Sequence, residues 1–262
     1  MSRQPSIYIP HGGGPCFFMD DPQGIWTAME TFLRDLPNHL PERPKAILVV
    51  SAHWETDGFA FTGAARPELV YDYYNFPPHT YELRYNAPGD PALAARAAGL
   101  MQAAGLHAHV DAERGLDHGV FIPLKVAWPD ADIPVVEMSL DLSLDPALHL
   151  AAGKALAPLR DEGVFIVGSG LSFHNMRGFA DPRCSEPSEA FDNWLTESLS
   201  LGAPDRAARL THWQDAPGAR VCHPREEHLL PLMVSAGASE APAGHIHSER
   251  LMAVAVSGYE FA

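Results

Sequence analysis

Two histidines and two carboxylates fall within the six residues His223-Pro224-Arg225-Glu226-Glu227-His228, directly ahead of the apolar run Leu229-Leu230-Pro231-Leu232-Met233. Side chains of these types at the mouth of a buried helix suit metal binding or proton transfer better than they suit solubility. His11, His53 and His174 each follow a short apolar run of strand character, and His118 stands where the loop Gly115-Leu116-Asp117 enters apolar sequence. One histidine beside apolar sequence is ordinarily a hydrogen-bonded structural residue. Its repetition at several junctions points to convergence on one centre. Imidazoles bind iron, zinc, copper or nickel, and geometry selects among them. Two histidines and a carboxylate with open positions opposite make a ferrous, dioxygen-activating site, whereas three histidines and a water make a common zinc site. Glu227 and His228 are adjacent, so the segment can supply either set, and residue types alone leave both open.

Strands and helices must carry these groups together. Ser6-Ile7-Tyr8-Ile9-Pro10 predicts a buried strand ending at His11-Gly12-Gly13-Gly14-Pro15, whose glycines permit unusual backbone angles. No Lys-Ser/Thr follows and the dinucleotide glycine spacing is not met, so a nucleotide loop is not expected. Ala46-Ile47-Leu48-Val49-Val50-Ser51-Ala52 reads as a central parallel strand, apolar on both faces, that delivers His53. Ligands of open α/β sheets bind at the carboxyl ends of strands, which favours a histidine there. Further strands are expected over 133–140, over 164–170 leading to His174-Asn175, and over 251–256 as an antiparallel or edge strand. Helical spacing runs from Ile25 to Leu36, stopping at Pro37, and an amphipathic helix covers 187–200. Asp90-Pro91 and Asp145-Pro146 each place an acidic N-cap before a proline at the first helical position. The aromatic stretch 66–89 and Phe17-Phe18 could wall a pocket. Alternating strands and helices with no linker or repeat predict a single α/β domain over 1–262, its sheet mostly parallel or mixed.

Composition narrows the function classes. The 262 residues are 46% hydrophobic and 19% charged, the balance of a soluble globular protein. A formal net charge of −15 without a basic run argues against a nucleic-acid partner. Fourteen histidines are an excess that hints at metal or proton chemistry. Three cysteines without a C-x-x-C spacing argue against a disulfide framework or a cysteine zinc site and favour a reducing, cytoplasmic compartment. Cys16 and Cys222 read as small buried fillers. No apolar run approaches the roughly 18 residues of a membrane span. His39, His79, His107, His109, His149, His212, His245 and His247 read as surface or loop residues. Arg177 and Arg225 could each meet a substrate carboxylate or form an ordinary surface ion pair. Nothing in the sequence sets an oligomeric state.

Five motifs in order carry a resemblance: Ile9-Pro10-His11-Gly12-Gly13, Ser51-Ala52-His53-Trp54, Asp117-His118-Gly119, Gly168-Ser169-Gly170 with His174-Asn175, and Pro224-Arg225-Glu226-Glu227-His228-Leu229-Leu230-Pro231-Leu232. Over about residues 7 to 258 the chain resembles the DOPA-dioxygenase-type branch of the class III extradiol ring-cleavage dioxygenases. The resemblance implies one α/β domain around a central sheet. It implies non-haem Fe(II) for activity, with Zn(II) in some members and in the isolated protein. It makes His11 and His53 metal ligands and His228 the third, with Glu227 as second choice because protocatechuate-cleaving relatives use a glutamate near that place. It gives His174 an acid–base role and sets His118 against substrate or dioxygen. The partners it implies are a small aromatic diol and O2, joined to give a ring-opened semialdehyde acid. Two other readings share the residues: a zinc hydrolase or lyase with His174 or Glu227 as base, and a catalytically silent metal-binding scaffold. His118 and His174 speak against the scaffold, since neither is needed to hold a metal.

Overall fold

In a computed structural model, residues 2–262 are described. Strands β1 (Ser6–Pro10), β2 (Ala46–Thr56), β3 (Phe59–Thr62), β4 (Ala108–Asp111), β5 (Val135–Asp141), β6 (Val164–Gly170), β7 (Ala243–Leu251) and β8 (Val254–Phe261) join in one sheet. Their order is β4-β3-β5-β2-β6-β1-β8-β7. The central strands β5, β2, β6 and β1 run parallel. β8 is antiparallel to β1, β7 is antiparallel to β8, and β3 is antiparallel to β5. The sheet is therefore mixed with a parallel centre. β1 and β6 are buried at every residue, and β2 is buried from Ala46 to Ala52, as strands covered on both faces must be.

Helices α1 (Thr27–Asp35), α2 (Pro91–Ala103), α3 (His118–Ala127), α4 (Pro146–Leu156), α5 (Pro158–Asp161), α6 (Ser185–Leu199), α7 (Ala203–Thr211), α8 (Ala219–Cys222) and α9 (Leu230–Gly237) surround it. Asp90 and Asp145 cap α2 and α4 by accepting from the N–H groups of Leu93 and Ala147, with proline next in each case. Such a cap is worth about 1 kcal/mol. α9 is buried from Leu230 to Ala236 and packs on α4 and β6. Two buried arginines hold its last carbonyls: Arg160 Nη1 donates to Ala238 O (2.7 Å) and Arg206 Nη2 to Ala236 O (3.0 Å). Cations there complement the helix dipole. The start of α9 is thereby held beside the carboxyl ends of the central strands.

Three local expectations need correction, and two short strands went unforeseen. Residues 251–256 are not one strand: Met252 and Ala253 form the turn between β7 and β8, with Met252 at φ 56°. A left-handed turn at a non-glycine residue leaves an apolar run unbroken in sequence. β3 and β4, four residues each, were too short to register as strands. Pro37 does not end the first helix outright, because a 3-10 turn carries it on over Leu36–His39. His149 is buried on α4 rather than a loop residue, its Nδ1–H donating to Asp145 O (2.7 Å) while Nε2 accepts from the Asp141 N–H (3.2 Å). Among the described residues, no helix is long and apolar enough to cross a membrane.

Candidate metal centre and active site

Three adjacent parallel strands, β2, β6 and β1, end side by side, and the histidines stand at those ends. His11 directly follows β1, its N–H continuing the ladder to Gly170 O (3.1 Å). On β2 the pairing jumps from Val50 opposite Met138 to Glu55 opposite Leu140, five positions against two. The surplus residues bulge out, and a bulge re-aims side chains. His53 lies in it, its N–H held by Ser51 Oγ (3.1 Å). β6 ends in Gly170, where a Cβ would lie 2.1 Å from the His228 carbonyl. Glycine there lets His228 dock on the strand end, where Leu171 N–H (3.2 Å) and Tyr8 Oη–H (2.7 Å) donate to its carbonyl. His118 opens α3, and a Cβ on its neighbour Gly119 would press on Ser51 Oγ (2.8 Å) and His53 Cδ2 (3.0 Å). His174 sits in the loop leaving β6, its N–H on Cys222 O (2.9 Å).

All five expected histidines therefore meet. Donor atoms of His11, His53 and His118 lie within 4.8 Å of one another, as do those of His174, Glu227 and His228. His11 Nε2 and His53 Nε2 are 3.1 Å apart. Two nitrogens at about 2.0–2.1 Å from one metal are separated by about 3.0–3.4 Å at angles of 90–109°. The same geometry puts ring centroids about 4.5–5.3 Å apart. The observed separations are 5.0 Å for His11–His53, 5.2 Å for His11–His228 and 4.8 Å for His53–His228. His118 falls outside that range on both sides, 3.9 Å from His53 and 5.6 Å from His11. His174 stacks on His228 with centroids 3.3 Å apart and planes at 16°, which suits a neighbour of a ligand rather than a fellow ligand.

Hydrogen-bond partners set the tautomers. Ser169 Oγ gives its proton to Gly119 O, so it can only accept from His11 Nδ1 (3.0 Å). His11 thus carries its proton on Nδ1 and a lone pair on Nε2. His228 Nδ1 faces Glu227 Oε1 at 3.1 Å, and the same oxygen faces His174 Nδ1 at 2.9 Å. A carboxylate only accepts, so both rings also turn a bare Nε2 away from it. Asp72 Oδ1 does the same for His118 Nδ1 (2.8 Å) and takes the His118 N–H as well (3.0 Å). Metal-binding histidines characteristically donate their second N–H in this way. Burial, then the neighbouring imidazoles, hold His11 and His228 well below the ordinary histidine value, and burial and His118 push His53 down to about 4. Glu227 ends below the usual carboxylate range: burial pushes it up, and the hydrogen bond from His174, its own backbone N–H and the charges of His174 and Arg225 together outweigh that. Neutral imidazoles with inward lone pairs are what a divalent cation requires.

Sequence reading missed the carboxylate of Asp72, the acceptor Ser169 and a buried chain beneath His53. In that chain Ser51 Oγ donates to Asp117 Oδ1 (2.8 Å), Arg114 pairs with Asp117 Oδ2 (3.0 Å), and Glu137 Oε2 accepts the Asp117 N–H (3.0 Å). Burial and Asp117 push Glu137 upward. Arg225 pairs with Glu55 in a two-pronged contact at 2.6 Å, while Arg177 lines the cavity described next. His223 is buried with Nε2 donating to Ser172 O (2.9 Å), a structural position. A cavity of about 660 Å³ opens over the histidines. Tyr73, Tyr74 and Phe76 of the aromatic stretch line it as expected, but Cys16, Met19 and Trp26 take the place foreseen for Phe17 and Phe18.

Comparison with known proteins agrees with this chemistry. The family model for the catalytic LigB subunit of aromatic ring-opening dioxygenase matches residues 5–258. The chain is 42% identical over 257 residues to dioxygenase tasH of Hapsidospora irregularis, covering 91% of this chain and 79% of that protein. It is 38% identical over 239 residues to the 4,5-DOPA dioxygenase extradiol of Beta vulgaris, covering 89% and 86%. A protein of the same name from Escherichia coli K12 is 36% identical over 241 residues, covering 90% and 86%. The crystal structure of an uncharacterised Escherichia coli K12 protein superposes with a TM-score of 0.78 at 30% identity, covering 99% of this chain and all 100% of that one. Matched over nearly its whole length, the chain belongs to the LigB family of class III extradiol enzymes and is an extradiol aromatic ring-opening dioxygenase.

Proposed function

We propose that the chain, acting over 1–262 as one catalytic unit, binds one non-haem Fe(II) through His11, His53 and His228 and opens a catechol beside its diol to a semialdehyde acid. The observation that carries this reading is the spacing of these three imidazoles, 4.8–5.2 Å between centroids, with Glu227 placed behind His228 as its acceptor. Bound Fe(II) supplies a site for both catechol oxygens and for dioxygen, and the electron transfer that joins them. Zn(II) fits the same nitrogens and can occupy them in the isolated protein, but it has no redox step to offer.

The chain's own residues do the rest. Three neutral imidazoles would leave the full positive charge on the centre, which favours binding the diol as a catecholate anion, its one lost proton resting on His174. His174 Nε2, bare and beside the cavity, accepts a phenol proton as the diol binds. The imidazolium so formed is held by Glu227 Oε1, 2.9 Å from its Nδ1, and the proton is returned when the ring opens. His118 Nε2, fixed by Asp72, contacts substrate or dioxygen from the opposite flank. Leu171, Phe179 and the aromatic residues of 73–76 line the cavity and exclude water from the reacting ring. Three buried free cysteines suit a reducing, cytoplasmic compartment.

Fe(II)-loaded protein, prepared without oxygen, should consume one O2 per catechol and yield a yellow ring-opened product. No uptake across a catechol panel at full iron occupancy contradicts the proposal. Ester or amide cleavage by the Zn-loaded protein under the same conditions would favour the hydrolase instead.

A further inference from the structure

We propose that Arg225 is a positioning residue for ring cleavage, acting through Glu227 on His174. This inference rests on the catechol-cleaving reading and deepens it at the same site. Glu227 Oε1 accepts from both His174 Nδ1 (2.9 Å) and His228 Nδ1 (3.1 Å), so one oxygen serves the proton carrier and a proposed ligand. Its other oxygen, Oε2, is buried and accepts no hydrogen bond among the described residues. A buried carboxylate oxygen left bare is costly unless an opposite charge faces it. Arg225 Nη1 stands 3.6 Å away, too far for a hydrogen bond and near enough for an ion pair. The carboxylate thereby has a preferred rotation, with Oε2 towards the guanidinium and Oε1 towards the two imidazoles.

Glu55 keeps Arg225 in that place. It lies at the far end of the β2 bulge, two residues past His53, where pairing with β5 resumes. Its two oxygens meet Arg225 Nη1 and Nη2 at 2.6 Å each, a fork closed across 170 residues of sequence. Nη1 is therefore shared between Glu55 and Glu227. The neighbouring acid is engaged elsewhere, since Glu226 Oε2 accepts from Arg220 Nη1 (2.7 Å). The Arg225 side chain is 52% exposed, and an exposed ion pair by itself contributes little to stability. Its third member sets this one apart. The guanidinium joins the strand end that carries His53 to the carboxylate that orients His174 and His228.

The test has two arms, both on the full chain. In metal-free protein carrying isotope-labelled histidine, the His174 Nδ1–H should give a hydrogen-bonded proton resonance. Arg225→Gln should shift that resonance upfield or lose it to exchange, while the His118 Nδ1–H, held by Asp72, stays in place. In Fe(II)-loaded protein, O2 uptake with catechol should show Arg225→Gln lowering kcat about tenfold, with KM and iron content within about twofold of wild type. Arg225→Lys should recover part of the loss. In a Glu227→Gln background, where the carboxylate is already gone, the same substitution should cost less than about twofold. An unmoved His174 resonance, or an equal Arg225→Gln loss in both backgrounds, overturns the inference while leaving catechol cleavage standing. No uptake by wild type with any catechol overturns both.

Discussion

His118 and His174 are chemically the same device placed in two different settings. Each donates Nδ1–H to a carboxylate, Asp72 at 2.8 Å and Glu227 at 2.9 Å, and each turns a bare Nε2 inward. Each carboxylate also faces one of the histidines proposed to hold the metal: Glu227 Oε1 is 3.1 Å from His228 Nδ1, and Asp72 Oδ2 is 3.7 Å from His53 Nδ1. The settings differ in restraint. His118 is the first residue of α3 and is held to Asp72 by backbone and side chain together. His174 lies in a loop, with 17% of its side chain exposed against 7% for His118, and it leans on the face of His228. A fixed imidazole suits positioning, and a more open one suits carrying a proton in and out. Paired carboxylates alone would not separate these roles; the backbone around them does.

The largest expected effect breaks the pair apart. His174→Ala should lower kcat by about 10²–10⁴ while metal content and catechol binding stay near wild type. His118→Ala should fall less in kcat and show more of its loss in KM. Equal losses in the two variants, or the reverse order, would erase the distinction drawn here. A smaller effect is expected from the carboxylates. Glu227→Gln should cost about 10–100-fold, split between metal affinity and turnover, because one oxygen serves both His228 and His174. Asp72→Asn should cost less metal affinity, since its oxygen stands 3.7 Å from His53 Nδ1, beyond a direct hydrogen bond. Metal titrations of the two variants compare them directly.

The smallest effect concerns stability of the metal-free chain. His53 and His223 are both pushed down to about 4 in the fold, chiefly by burial, while an unfolded histidine titrates near 6.5. Between these values the unfolded chain binds more protons. The stabilisation from keeping these rings neutral is thus full above about pH 6.5 and is lost as pH falls toward about 4. Each ring adds a slope of at most about 1.4 kcal/mol per pH unit. Urea unfolding of wild type and His223→Gln at pH 7, 6 and 5 should give a difference that shrinks on acidification. A difference that grows would have the sign wrong.

The sequence made the histidines legible because a helix or strand end is visible as a change from apolar to polar residues, and His11, His53, His118, His174 and His228 all stand at such changes. Their partners were not legible for reasons of chemistry and distance. Asp72 lies in an aromatic loop without periodicity, and its target is 46 residues away. Ser169 lies inside a glycine-spaced strand where nothing marks its hydroxyl as an acceptor. Glu227 was in view but as a rival ligand, because adjacency in sequence does not say which way a side chain turns. The α/β class and the two Asp-Pro caps followed from local rules. The β7–β8 turn did not, because Met252 adopts a conformation its residue type does not announce.

The central claim is that three imidazoles, His11, His53 and His228, hold the metal and that His118 stands beside it. Anaerobic Fe(II) titration of wild type, His228→Ala and His118→Ala tests this directly. Wild type and His118→Ala should each bind one Fe(II) per chain with similar affinity, while His228→Ala should lose high-affinity binding. Retention by His228→Ala together with loss by His118→Ala would contradict the account and move the third ligand to the other flank.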